Sequence, residues 1–264
     1  MAIISKTEAI VLRSMRYRES SRIVSLYTRK FGKVKVVAKG IRRPKSKFGS
    51  SLEPFTASNI VFYKRETKDL YNISEADIVK ERPELRANLR RMTTAYVMVD
   101  FLDAANPEES ENPRLYALAD SMLDAVEELP PSTLNLLLWT FLIRAAGILG
   151  YGPTFAACLR CNRRRPEMLF SPSLGGVVCR DCSLGETDVW KVSRASLDLL
   201  GRLADEGEKD FSAEKPSFEQ SEEITRALRA HLLYHTERRM NSFDFKKSLE
   251  TANRLSDPGA APHL

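Results

Sequence analysis

The stretch "RIVSLYTRKFGKVKVVAKGIRRPKSKFG" (22–49) decides how the fold begins. Residues 22–28 alternate, with Val24 and Leu26 on one face, and Phe31-Gly32 supplies a turn. The return segment 33–39 sets Val34 and Val36 opposite Lys33 and Lys35. Two adjacent strands then run into Arg42, Arg43, Lys45 and Lys47, with Phe48 beside them and two glycines bracketing the run.

Working outward, "EAIVLRSM" (8–15), "SNIVFYK" (58–64) and "DLYNISEADIV" (69–79) bring the count to five candidate strands within residues 1–80. Five short strands are too few for an immunoglobulin-type sandwich. They suit a small barrel of the OB type, which hides its edges by closure. An SH3-like barrel competes on pattern alone. After Pro83 the period changes to that of helices. A helix is expected over 84–104, where Leu85, Leu89, Met92, Tyr96, Val99 and Leu102 share a face. Others are expected over 113–129 (Asn112 as cap, Pro113 in the first turn), 133–149 (Ser132 as cap, apolar nearly all round), 193–205 and 221–239.

The fold class is therefore α+β and multidomain. An OB barrel at 1–80 precedes a helical domain in two parts, 81–157 and 191–250, with a four-cysteine segment at 158–190 between them and a flexible tail at 251–264.

The net charge of +6 conceals an asymmetry. Residues 1–80 carry 18 Lys and Arg against 7 Asp and Glu, and the rest 23 against 28, so a front end at +11 is joined to a body at −5. That distribution suggests one face built for a polyanion. Arg16, Arg18 and Arg22 surround Tyr17 in "MRYRESSR" (15–22), and Lys33, Lys35 and Lys39 approach from the third strand. With Arg42, Arg43, Lys45 and Lys47 they form the expected DNA-binding set. Tyr17 and Phe48 are either stacking platforms for bases or plain barrel packing.

All four cysteines lie in "CLRCNRRRPEMLFSPSLGGVVCRDC": Cys158-x2-Cys161, then Cys179-x2-Cys182. Two such knuckles, returned to face each other across Gly175-Gly176, supply the four sulfurs of one structural zinc ion. An iron centre of rubredoxin type would use the same ligands. Four protein ligands leave no position for an activated water, so the metal is a staple. Arg163, Arg164 and Arg165 either offset thiolate charge or touch nucleic acid.

Nothing in the sequence composes a catalytic centre, and the protein is read as a non-enzyme. Residues 1–60 contain only three acids, Glu8, Glu19 and Glu53, too few for a nuclease metal site. There is no GxxxxGK[ST] and no GxSxG. His231 and His235 have zincin spacing, but Leu232 stands where the glutamate base belongs. "MAIISKTEAI" is not a secretory leader, and Leu134–Leu149 is interrupted by Asn135, Thr140 and Arg144 and too short to span a bilayer. The expected setting is cytoplasmic, with no membrane partner.

The residues resemble the RecO family of bacterial DNA repair proteins. The resemblance begins at "EAIVLRSMRYRESSRIVSLYTRKFGKVKVVAKGIRRPKSKFGSSLEPF", continues through "FSPSLGGVVC" between the knuckles and ends near "HTERRMNSF". It implies an OB-fold, a helical domain and an embedded zinc site. It further implies binding of single- and double-stranded DNA, annealing of complementary strands, and a nucleoid-associated role in the RecF pathway. There, with RecR and in the company of RecF, the family helps load recombinase onto DNA coated by single-strand binding protein. That protein's acidic tail would dock on the helical domain, where Arg238, Arg239 and Met240 are the candidates; "MNS" at 240–242 departs from the usual family ending. An RNA-binding or transcription-associated zinc-ribbon protein is the alternative reading.

Overall fold

The computed structural model describes residues 3–64, 69–205, 211 and 214–255. Five strands, β1 (Ile3–Tyr17), β2 (Ser21–Thr28), β3 (Gly32–Ala38), β4 (Ala57–Lys64) and β5 (Leu70–Lys80), close into a barrel in the order β1-β2-β3-β5-β4. β1 is long because it serves two neighbours. Ile3–Ile10 pair with β4, Ala9–Tyr17 pair with β2, and a bulge between Val11 and Arg13 bends the strand from one to the other. The parallel pairing of β3 with β5 and the β1–β4 closure are the OB arrangement, which decides against the SH3-like competitor.

The barrel interior is filled by alternate residues, among them Val11, Val24, Leu26, Val34, Val36, Ile60, Phe62 and Ile73. Phe48 and Leu52, from the loop after β3, plug one end. Ile10 and Leu12 point outward yet are buried, because a helix covers them.

That helix is α2 (Leu89–Ala105), preceded by α1 (Pro83–Ala87) and followed by α3 (Pro113–Glu128). The single helix expected over 84–104 is thus two. Asn88 sits in extended backbone and its side chain accepts from the N–H groups of Arg90 and Arg91, so it caps a new helix instead of continuing the old one. Arg82, only 1% exposed, locks the junction of β5 and α1. Its guanidinium reaches Asp124 Oδ1 at 2.8 Å, Asp120 Oδ1 at 2.5 Å and the Phe55 carbonyl at 2.7 Å. Burial raises the Asp120 carboxyl, but hydrogen bonds from Lys80 and Arg82 outweigh it and hold the group below its usual range.

The chain divides into two compact units, 1–129 and 130–264, so α1–α3 fall in the same unit as the barrel. In the second unit, a 3-10 turn (Pro131–Thr133) leads into α4 (Leu134–Ile148), which is buried nearly all round, and Ser132 does not cap it. After the cysteine segment come α5 (Arg194–Asp205), α6 (Phe218–Thr236) and α7 (Asn241–Leu255). Ser217 and Gln220 form a capping box that starts α6, and Glu237 in the left-handed conformation ends it. Trp139 of α4 donates to Thr225 of α6 at 3.1 Å, and Arg229 grips Asp244 of α7 with both nitrogens, at 2.5 and 2.8 Å. Helix α7 carries residues 251–255 beyond the expected boundary at 250, and the rest of the expected tail, 256–264, lies outside the described residues. No helix among the described residues is long and apolar enough to cross a membrane.

Candidate nucleic-acid interface and metal centre

The cations of the first unit sort themselves by barrel end. Pairing of Arg16 with Arg22, and of Arg22 with Ala38, brings the end of β1, the start of β2 and the end of β3 together. The loop after β3 is tied to the same place: the Arg42 amide donates to the Ser20 carbonyl at 3.2 Å and its guanidinium to the Glu19 carbonyl at 2.9 Å. Arg16, Arg18, Lys39, Arg42, Arg43, Lys45 and Lys47 are all exposed there, and among the described residues none pairs with a carboxylate.

Three of the ten expected contacts stand apart. Arg22 is bridged to Glu53 at 3.0 Å. Lys33 lies near the other end of β3, about 20 Å from Lys39 at the rise of a strand, and is 5% exposed. Its ammonium donates to the Asp103 carbonyl at 2.6 Å, so it is spent on holding α2 to the barrel. Lys35 is paired with Glu108. Alternation correctly puts both lysines on the outer face, but it carries no information about what covers that face. Phe48 is a core residue and not a stacking platform. Tyr17 remains half-buried at the basic end, with the Arg18 guanidinium 5.2 Å from its ring centre.

The cysteine segment folds as a three-stranded sheet, ordered β7-β6-β8, of β6 (Met168–Ser171), β7 (Gly176–Cys179) and β8 (Trp190–Lys191). The first knuckle is laid against β7 by backbone bonds: Leu159 N–H to Val177 O at 2.9 Å and Val177 N–H to Thr154 O at 3.0 Å. Gly176 permits this approach, since a Cβ there would stand 2.5 Å from the Thr154 oxygen. Asn162 turns the first knuckle with φ 54°, a left-handed conformation that Asn tolerates.

All four sulfurs lie within 4.8 Å of one another, with Cys161 and Cys179 at 3.9 Å. Metal–sulfur bonds of about 2.3 Å in a tetrahedron need sulfurs roughly 3.8 Å apart, so the donor set fits one metal ion. Cys158 and Cys179 are buried, and Cys161 and Cys182 half-buried. Burial raises the Cys158 thiol, but N–H groups of Cys161, Cys179 and Arg160 aimed at its sulfur bring it down to about 6. Cys182, hydrogen-bonded first to Cys179 and then to the other two sulfurs, is pushed up to about 12. Cys158 thus offers a thiolate, and Cys182 holds a proton that a cation would displace.

Of the arginines around the knuckles, Arg160 pairs with Glu186, Arg164 with Asp198 and Arg180 with Glu167, leaving Arg163 and Arg165 exposed. Asp188, which accepts from Ser171 and Ser173, anchors the turn between β6 and β7. Sequence reading passed over these acids because their partners are distant along the chain. Arg238, Arg239 and Met240, the expected receptor for a peptide tail, follow the end of α6. Met240 is 3% exposed and Arg239 is engaged by Asp244 at 2.8 Å.

A closed OB barrel with one cationic end, followed along the chain by a helical unit with four thiols able to hold one metal ion, defines the class. Two family models cover nearly all of the chain: "Recombination protein O N terminal" matches residues 1–82 and "Recombination protein O C terminal" matches 86–243. The DNA repair protein RecO of Caldanaerobacter subterraneus subsp. tengcongensis is 32% identical over 256 residues, 96% of this chain and 98% of that protein. RecO of Symbiobacterium thermophilum is 31% identical over 93% of this chain and 97% of its own length, and that of Rubrobacter xylanophilus 33% over 87% and 91%. The chain belongs to the RecO family of DNA repair proteins.

Proposed function

We propose that the protein is a recombination mediator that binds single- and double-stranded DNA through the cationic end of its barrel and anneals complementary strands. The observation that carries this reading is the group of seven exposed cations free of carboxylates, gathered at one end of an OB barrel. Neutralising the phosphates of two strands lowers the repulsion that keeps complements apart. With Phe48 withdrawn into the core, charge contributes more to binding than stacking does. The family resemblance supports cooperation with RecR, within the RecF pathway and at the nucleoid, in loading recombinase onto DNA coated by single-strand binding protein. No step requires a catalytic centre of this chain.

The four-sulfur site holds zinc on this reading. Cys158, Cys161, Cys179 and Cys182 are its ligands, and the ion fixes the two knuckles to the sheet without taking part in chemistry.

The test is fluorescence anisotropy with a labelled single strand over a range of salt. If about five phosphates are contacted, the log–log slope is roughly −3.5. Replacing Arg42, Arg43, Lys45 and Lys47 with alanine flattens it by roughly 2.8, one phosphate for each cation removed, with little change in base preference. Unchanged affinity in that variant removes the barrel end as the site. A clear preference for RNA of the same sequence moves the protein to the RNA-binding alternative.

A further inference from the structure

We propose that bases rest on the outer face of β1–β3 at the basic end, and that Met15, Tyr17 and Ile23 there make the protein favour single strands over duplex. The proposal rests on the nucleic-acid reading above and adds the residues that meet bases, which that reading leaves unnamed.

Strand register separates this face from the core. Val24 is a core residue, and its partners Ser14 and Val36 turn the same way. The residues that alternate with them turn outward. Met15 lies opposite Ile23, Ile23 opposite Val37, and Tyr17 opposite Ser21. Three strands thus lay an apolar row, Met15–Ile23–Val37, across the outside of the barrel, with Tyr17 two residues beyond Met15 on the same face. Toward the other end of β1 and β2, α2 buries the outward residues Ile10, Ser25 and Tyr27. That cover stops before Met15, which is 49% exposed, while Ile23 and Tyr17 are half-buried.

The charge around the row selects its occupant. Segments 13–23 and 35–43, which frame it, hold eight Lys and Arg and one acid, Glu19. Lys39 follows Val37 by two residues, and the loop bearing Arg42 and Arg43 is tied to the β1–β2 hairpin through the Arg42 amide and guanidinium. Arg18 turns that hairpin with φ 54°, and its guanidinium lies 5.2 Å from the centre of the Tyr17 ring. Cations around an apolar row with an aromatic at its edge match a chain of phosphates with flat apolar faces between them, which is an unpaired nucleic-acid strand. Met15 suits any base, because a thioether is flexible and makes favourable contacts with aromatic rings. A duplex keeps its base faces stacked inside, so it meets the cations and leaves the row unused.

The experiment measures anisotropy of the intact protein on a labelled single strand without self-complementarity, on its duplex, and on an abasic strand of the same length. Thermal melting confirms folding of each variant. Met15→Ala with Tyr17→Ala should weaken single-strand binding about tenfold, roughly the worth of one stacked base. The salt slope should stay at the parent's value, since no phosphate contact is lost, and duplex affinity should hardly change. The parent should lose about the same tenfold on the abasic strand, and the variant should lose nothing further there. Tyr17→Leu keeps apolar bulk against the barrel but has no ring, and should lose about threefold. Ile4→Ala with Tyr63→Ala removes an exposed aliphatic and a tyrosine from the outer face of β1 and β4 and should change nothing. Full affinity of the alanine variant for the single strand overturns the proposal while leaving the basic end intact. So does full affinity of the parent for the abasic strand, an equal loss on duplex, or an equal loss in the β1–β4 control. A parent that binds no strand at all overturns the nucleic-acid reading and this face with it.

Discussion

The protein builds β-structure twice, and the two constructions differ in what holds them. The barrel has five strands of 7 to 15 residues, no open edge, and an interior lined by some fourteen buried residues. The cysteine sheet has strands of four, four and two residues, and its buried residues, Phe155, Met168, Phe170, Val177 and Val178, make only a small cluster. A sheet that small does not offset its own ordering entropy by apolar burial. The barrel is a matter of packing; the knuckled sheet is a matter of coordination. Because the seven free cations are on the barrel, the proposed binding surface is independent of the metal.

The largest effect that would break this contrast comes from removing the metal. Structural zinc in small domains contributes about 10–16 kcal/mol of apparent binding free energy, more than the sheet can replace. Treatment with a strong chelator, or Cys158→Ser, should expose residues 155–191 to protease and shift the fluorescence of Trp190. One equivalent of metal should be found per chain before treatment and none after. Binding to single-stranded DNA should survive. If chelation abolishes binding as well, the two regions are coupled and the contrast fails.

The same contrast explains what was legible in the sequence. Alternation over 22–39 marked the strands and their inward residues because a barrel interior accepts alternate side chains, and the Cys-x2-Cys pairs marked the four sulfurs that the fold gathers to where they could hold a metal ion. What escaped depends on contacts between distant residues. Nothing local to "KVKVV" announces that Glu108 and Asp103, some 70 residues on, will cover its lysines. Phe48, among cations, reads equally as a stacking residue or as barrel packing, and only the fold shows that its side chain joins the core. Asn88 is a cap that a helical periodicity count reads straight through. Nor does the run "RRM" announce that Met240 is buried and that Arg239 pairs with Asp244.

A smaller effect sharpens the description of the barrel as a packed object. Arg82 is buried beneath the half-buried Asp120 and Asp124, with Lys80 2.6 Å from both. Removing one partner of a buried charge network leaves the others uncompensated and costs about 3–5 kcal/mol. Arg82→Met should therefore lower the unfolding free energy of the first unit, read from urea melts, by about that much, even though methionine fills a similar volume. It also strips the donor from the Phe55 carbonyl, whose residue sits at φ 72°. The chelation response of the cysteine sheet should be unchanged. A loss below about 1 kcal/mol, the range of an exposed pair, would mean that the apolar interior alone carries the barrel.

The smallest effect tests the cysteine sheet from its other side, where its turn meets α6. His231, fully buried, donates from Nε2 to the Tyr151 carbonyl at 2.7 Å, and among the described residues its Nδ1 has no hydrogen-bond partner. His235 stacks on the Tyr151 ring, 4.9 Å between centres, and a Cβ at Gly175 of the turn would lie within 4.0 Å of both imidazoles. Burial holds His231 down at about 4, and it lowers His235 as well. Between pH 6.5 and 4 the unfolded chain takes up a proton that folded His231 refuses, so stability is full above pH 6.5 and falls as pH drops. From pH 7.5 to 5.5 the loss is about 1 kcal/mol for His231 alone. The carboxylates of Asp120, Asp188 and Glu223, all lowered in the folded state, begin to matter only below that window. His231→Gln can still donate to Tyr151 and does not titrate. Urea melts of the two proteins, which share the same four cysteines, should diverge in slope against pH, with the variant flatter. Parallel slopes would assign the acid sensitivity to the thiolates and leave coordination as the only support the cysteine sheet has.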